Sequence, residues 1–277
     1  MRGKAWLVAA AAVAVLWSAA PSPRAGEVIG PEIVTFPNRA LTLHGVIWRP
    51  AAPGKYPLIV FNHGSEQSPR DLPSLGPFFA SHGYVIFGPT RRGHGRSADQ
   101  GPYISDLLNA ERAAHGEEGR DRLLVKLHET DHLSDQVAGV AYARRLPFVD
   151  ASRMAVSGGS FGGIQTVLMA ERGEGFRAAI DFAGAAQNWA TATRLRTRMI
   201  EAVRHAKMPI YFIQAENDYN TDPSRVLAAE MEKAGKPYRL KIYPPWGETK
   251  QDGHTFGSRG SSVWAPEVLG FLEQYLK

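Results

Sequence analysis

The sequence predicts an α/β fold: a doubly wound, mostly parallel eight-stranded sheet with helices on both faces and a small helical insertion ahead of the fifth strand. Three observations lead there. Short apolar runs alternate with segments of helical periodicity along most of the chain. The central runs are apolar throughout rather than at every second residue, as expected of strands buried on both faces. A glycine cluster, Gly158-Gly159 and Gly162-Gly163, stands where one such run becomes helical. Glycine loses backbone entropy in strand and helix alike, so the cluster implies a turn that side chains would not fit.

Taken in order, "EIVTFP" (32–37) and "LTLHGVIWRP" (41–50) nearly alternate and are joined by Pro37 and Asn38, which predicts an antiparallel pair. "YPLIVFNHG" (56–64) and "GYVIFGPT" (83–90) read as buried strands, with a helix between them in "DLPSLGPFFASHG" (71–83). "DHLSDQVAGVAYARRL" (131–146) has helical spacing and leads into the strand "RMAVSG" (153–158). "IQTVLMAERG" (164–173) is helical. "RAAIDFAG" (177–184), "MPIYFIQA" (208–215) and "YRLKIYP" (238–244) then supply strands with helices between them, and "APEVLGFLEQYL" (265–276) a last helix. Residues 98–130 interrupt this alternation, because such crossings usually take about 2–6 residues. They extend the following helix at its N-terminus, or they cap the strand ends where ligands bind in open α/β sheets.

The 277 residues are 44% hydrophobic and 21% charged, enough for one domain with a sizeable core. Arg2 and Lys4 precede an apolar run from Ala5 to Ala20, followed by small residues and prolines, the layout of a secretory signal peptide. An uncleaved anchor is the alternative, but the run is shorter than the roughly 20 residues a span requires. The expected division is a signal at 1–25 and a single domain at 26–277, with 98–130 as a cap-like insertion. Residues 1–25 hold Arg2, Lys4 and Arg24 and no acidic residue, so their removal lowers the net charge from +5 to +2. The basicity is largely an export signal, and neither a nucleic-acid partner nor stable membrane association is read from it. With no cysteine, thiolate metal sites and cysteine nucleophiles are excluded.

"GGSFG", Gly158 to Gly162, matches G-x-S-x-G, in which a serine occupies a strained strand-to-helix turn. The predicted strand before it and helix after it supply the context the motif requires. The alternative is a close-packed turn with an incidental serine. A serine hydroxyl needs a base, and the order in such chains is serine, acid, histidine. His254 is the one histidine after the acid candidates, in "DGHTF". Asp218, in "ENDYN" after a strand, is the favoured acid, with Glu216 and Asp222 as competitors. The oxyanion donors are expected to be the backbone N–H of Phe161 and that of Ser65, with Gly64 beside it. His63 is read as shaping that loop rather than as a second base. Arg91, Arg92 and Arg96 in "TRRGHGRS" either bind a substrate carboxylate or brace the loop through backbone carbonyls. Arg91 and Tyr219 are the candidates for substrate contact.

In this order "NHGS", "PTRRGHGRS", "SGGSFGG", "ENDYN" and "GHTF" resemble the dienelactone hydrolase-like branch of the α/β-hydrolase superfamily, which borders the prolyl oligopeptidase-type peptidases. The resemblance runs from about Ile33 to the C-terminus. It implies an α/β-hydrolase fold, a Ser160–His254–Asp218 triad and an oxyanion hole at Phe161 and Ser65. It also implies hydrolysis without metal or organic cofactor. True dienelactone hydrolases use a cysteine nucleophile, which this chain lacks. The expectation is an exported serine hydrolase acting on short-acyl or small polar carboxylic esters through an acyl-enzyme. Peptidase or amidase activity on the same triad, and a non-catalytic binding protein on the same scaffold, are the rival readings.

Overall fold

The computed structural model describes residues 26–277, so the expected signal at 1–25 lies outside the described residues. Eight strands form one sheet: β1 (Val28–Asn38), β2 (Leu41–Pro50), β3 (Tyr56–Asn62), β4 (Val85–Pro89), β5 (Val149–Gly159), β6 (Ala178–Phe182), β7 (Ile210–Ala215) and β8 (Tyr238–Tyr243). Their spatial order is β1-β2-β4-β3-β5-β6-β7-β8. β1 pairs antiparallel with β2, and β2 antiparallel with β4; every pairing from β4 through β3 to β8 is parallel. The parallel part places the carboxyl ends of β3, β5, β7 and β8 on one edge, where ligand sites of open α/β sheets form.

The helices are α1 (Leu75–Ser81), α2 (Ile104–Glu129), α3 (Asp131–Ala143), α4 (Phe161–Arg172), α5 (Thr193–Arg204), α6 (Asp222–Lys233), α7 (Lys250–His254), α8 (Phe256–Arg259) and α9 (Ser261–Leu276). Side chains alternate between the faces of a strand, so a continuous apolar run needs two cores. β3 shows this directly. Leu58 and Val60 enter one core with Ile164 and Val167 of α4, Val140 of α3 and Met199 of α5. Ile59 and Phe61 enter the other with Phe79 of α1 and Trp264, Val268 and Phe271 of α9. α4 is buried along nearly its whole length; its sequence is mostly apolar, and its buried polar residues, Gln165 and Thr166, are hydrogen-bonded to His128, Gly162 O and Asn62.

Residues 98–130 do not extend α3. Thr130, with φ −113° and ψ −90°, separates α2 from α3. α2 is a helix of its own, 26 residues long and interrupted at Gly116, whose φ of 67° ends the first stretch. Leu108, Leu124 and Leu127 join the core on the α3–α5 side. The Asp121 carboxylate accepts the N–H groups of Arg194 (2.7 Å) and Leu195 (3.1 Å), capping the first turn of α5. Part of this segment's charge is thus a helix-docking device.

Candidate active site

The site begins at the end of β5. Ser160 has φ 55° and ψ −116°, a conformation that costs a non-glycine residue about 1–3 kcal/mol and persists only where its surroundings enforce it. Its N–H donates to Phe182 O of β6 at 2.9 Å, and its carbonyl accepts from Gly163 N–H as α4 starts. The flanking glycines follow from close backbone approach. A Cβ on Gly158 would lie 2.3 Å from Gly162 O, and one on Gly162 would lie 1.9 Å from Asn62 O. Nothing larger than hydrogen fits at these two positions, whereas a Cβ on Gly159 would meet only Phe182 O, at 3.9 Å.

Two loops bring the partners. Asp218 follows β7 in a tight turn and is buried; His254 ends the short helix α7, beyond β8. His254 Nδ1–H donates to Asp218 Oδ1 at 2.8 Å, and Ser160 Oγ–H donates to His254 Nε2 at 2.9 Å. Asp218 also accepts from Tyr219 N–H (2.6 Å) and from Gln214 Nε2 (2.8 Å). Glu216 and Asp222, the competing acids, are exposed, and Asp222 starts α6 instead. This chain can pass a proton from Ser160 to His254 while Asp218 holds the tautomer and stabilises the resulting imidazolium.

Two residues that the sequence reading passed over fix this arrangement. Asn217 ties the acid turn to the histidine loop: its amide donates to Trp246 O (3.1 Å) and Thr249 O (3.0 Å) and accepts from Trp246 N–H (2.9 Å). Gly253 lets that loop close, since a Cβ there would lie 2.8 Å from Asp218 N. "END" and "DGH" carried the signal: an Asn beside the acid and a Gly beside the base. α7 is held by a capping box between Thr249 and Asp252.

A cavity of about 610 Å³ opens over Ser160 and His254, within the usual range for small-molecule sites. Gly64, Ser65, Phe61, Leu72, Leu75 and Phe182 line it, with charged groups from Glu66, Arg70 and Arg259. Of the two expected oxyanion donors, the Ser65 N–H belongs to a residue of the cavity wall and Phe161 follows the cavity-lining Ser160. Phe161 N–H is in the first turn of α4, where helix geometry leaves donors without intrahelical acceptors.

Arg91 is not a substrate ligand in this structure. It is fully buried, does not line the cavity, and donates to the carbonyls of His63 and Gly64. Arg92 binds Asp135 and Asp131 of α3, and Arg96 pairs with Asp71, so all three arginines of the motif brace structure. The cationic groups that reach the cavity, Arg70 and Arg259, were missed because nothing in their local sequence marks them. Tyr219 likewise does not line the cavity; its ring meets the His254 imidazole edge-on at 5.4 Å and its hydroxyl donates to Gln251. His63 is buried, and its Nε2 accepts Arg91 N–H while Nδ1 lies 2.9 Å from Gly64 O, so both ring nitrogens serve the loop. Burial, reinforced by Arg91 and His94, holds its pKa well below the ordinary histidine value, which keeps it neutral.

Beneath the serine turn lies Asp181 of β6, fully buried and pushed up to about 7 by loss of solvent, with Gly184 N–H as a counteracting donor. Gly163 leaves room for it, a Cβ there falling 2.2 Å from its Oδ1. Among the described residues no cluster of three or more His, Asp or Glu side chains is placed to hold a metal ion. None of their helices is long and apolar enough to cross a membrane.

Residues 43–263 match the sequence profile of the dienelactone hydrolase family. Human dipeptidyl peptidase 8 is 28% identical over 83% of this chain, which spans 27% of that protein's length. Among solved structures, the acylaminoacyl peptidase of Pyrococcus horikoshii superposes with a TM-score of 0.67 at 20% identity, covering 91% of this chain and 42% of that one. A protein of Klebsiella pneumoniae described as a candidate dienelactone hydrolase gives a TM-score of 0.67 at 16% identity, covering 90% of this chain and all of the other. At these identities the structural likenesses establish the fold, that of the α/β-hydrolases.

Proposed function

For a chain that belongs to the dienelactone hydrolase family, we propose a serine hydrolase of carboxylic esters working through an acyl-enzyme on Ser160. One observation carries the proposal: the continuous Ser160–His254–Asp218 hydrogen-bond chain, 2.9 and 2.8 Å, at the floor of a cavity. Ser160 Oγ attacks the ester carbonyl carbon as its proton passes to His254 Nε2. The oxyanion is held by Phe161 and Ser65 N–H groups, whose loss costs roughly 10²–10³ in rate where single donors are removed. Collapse breaks the bond to the alkoxy oxygen, which leaves with the His254 proton as the alcohol. Water then repeats the sequence on the acyl-enzyme and releases the acid.

The cavity suits short or polar esters, because charged groups share its wall with Leu72, Leu75 and Phe182. The similarity to dipeptidyl peptidase 8 favours a second reading, hydrolysis of peptide or aminoacyl amides on the same groups. kcat/KM values for p-nitrophenyl esters beside aminoacyl p-nitroanilides separate the two. Ester turnover that exceeds anilide turnover by orders of magnitude is expected, and the reverse ranking would make the protein a peptidase. Export belongs to the same proposal, on the basic and apolar pattern of residues 2–20. N-terminal sequencing of exported protein should find a start between about residues 20 and 28.

A further inference from the structure

The loop after β3 carries Ser65, and its backbone is held in an unusual way. Five successive carbonyls, from residue 63 to residue 67, all accept hydrogen bonds from one short segment, residues 91–103. Arg91 Nη1 donates to His63 O at 2.8 Å, and Arg91 Nη2 donates to Gly64 O. Tyr103 Oη donates to Ser65 O at 2.7 Å. His94 Nδ1–H donates to Glu66 O at 2.9 Å, and Gly95 N–H to Gln67 O at 2.7 Å.

In a trans peptide unit the N–H points opposite to the carbonyl of the preceding residue. Turning the carbonyls of His63 and Gly64 toward buried Arg91 therefore turns the N–H groups of Gly64 and Ser65 the other way. Gly64 and Ser65 line the cavity with Ser160, whereas Arg91 does not. The same guanidinium lies 6.0 Å from the Phe161 ring, which also meets the His128 ring at 4.2 Å. One buried group thus stands behind the peptide that carries the Ser65 N–H.

We propose that Arg91, His94 and Tyr103 are positioning residues for oxyanion stabilisation, fixing the Ser65 peptide so that its N–H meets the charge that develops on the substrate carbonyl. The inference rests on the serine hydrolase reading above. It gives the "TRRGHGRS" motif a role in rate rather than in substrate contact, and gives Tyr103, which also lines the cavity, a role in rate. Lysine cannot replace Arg91, because an ammonium lacks the planar fork that serves two adjacent carbonyls.

The test compares Arg91→Lys, Tyr103→Phe and Arg96→Gln with wild type on p-nitrophenyl acetate, with thermal unfolding recorded for each. Arg91→Lys should lower kcat about 100-fold and Tyr103→Phe roughly 10-fold, with KM nearly unchanged, because a preorganised donor acts on the transition state. Affinity for a trifluoromethyl ketone, which forms a tetrahedral oxyanion on the serine, should fall by similar factors. Arg96→Gln, on an exposed pair, should leave kcat as it is. A purely structural brace would shift the melting temperature alone; folded Arg91→Lys and Tyr103→Phe enzymes with wild-type kcat would overturn the proposal. Should Arg91→Lys not fold, Tyr103→Phe decides by the same criterion. Absence of Ser160-dependent hydrolysis in wild type would instead remove the hydrolase reading, and this inference with it.

Discussion

Asp218→Asn replaces one oxygen with an NH2 group, and the surrounding hydrogen bonds determine the outcome. Oδ1 accepts from His254 Nδ1–H and Tyr219 N–H, and Oδ2 accepts from Gln214 Nε2. With its oxygen toward His254, the amide sets its NH2 against the Gln214 NH2. Gln214 does not turn over freely, since its oxygen accepts from Ser224 Oγ at 2.7 Å and its nitrogen also donates to Asn220 O at 2.8 Å. With its NH2 toward His254, the amide opposes Tyr219 N–H and selects the imidazole tautomer protonated on Nε2, which cannot accept the Ser160 proton. In both orientations the charge that stabilises the imidazolium is lost. The expected fall in kcat is roughly 10⁴-fold, the size of such a substitution where the wrong tautomer results. That equals about 5.5 kcal/mol of barrier. KM should change little, because Asp218 does not line the cavity. Initial rates on p-nitrophenyl acetate, beside near-UV circular dichroism to establish folding, make the measurement. Glu216→Gln, at an exposed carboxylate, is the control and should stay near wild type. A folded Asp218→Asn enzyme retaining a tenth or more of wild-type kcat, roughly 1.4 kcal/mol or less, would refute the reasoning.

Gly162→Ala should abolish folding or activity, because its Cβ would fall 1.9 Å from the Asn62 carbonyl, a backbone atom that cannot step aside; melting temperature and kcat together check this. Asp181, pushed up to about 7 by burial, keeps in the folded state a proton that the unfolded chain releases near pH 4. Its contribution to stability is therefore full below about pH 4 and lost as pH rises through about 7, on the order of 4 kcal/mol in all. Asp181→Asn should flatten this part of the profile, so the wild-type-minus-variant difference in urea midpoint should fall between pH 5 and pH 8; a constant difference contradicts it. Across p-nitrophenyl esters from acetate to palmitate, kcat/KM should be highest for the short acyl groups, given the charged wall of Glu66, Arg70 and Arg259. A rise through the long chains would indicate a lipid-interface enzyme instead.

The fold was legible where local rules decide it. Continuous apolar runs located the central strands β3 to β7, because a strand buried on both faces has no other pattern to show, while alternation located the edge pair β1 and β2. The serine turn was legible because the steric demand at Gly158 and Gly162 leaves its imprint on residue type. Asp218 and His254 followed from chain order and from their places after β7 and β8. Residues 98–130 resisted reading, since α2 is long, broken at Gly116 and docked through Asp121 to an element more than 70 residues away. The roles of the arginines were equally hidden. Arg91 lies at a strand end, as a ligand-binding residue would, and only the direction of its side chain separates a brace from a ligand. Arg70 reaches the cavity from the loop before α1 and Arg259 from the end of α8, far apart in sequence, a tertiary property with no local pattern.

The central claim is that Ser160 is the nucleophile of an acyl-enzyme, and active-site labelling tests it most directly. A fluorophosphonate probe, followed by intact mass and peptide mapping, should find one adduct per chain, on Ser160. Ser160→Ala should take up no label and show no ester turnover while melting near the wild-type temperature. Label carried on any other residue, or unchanged turnover in pure Ser160→Ala protein, would contradict the account.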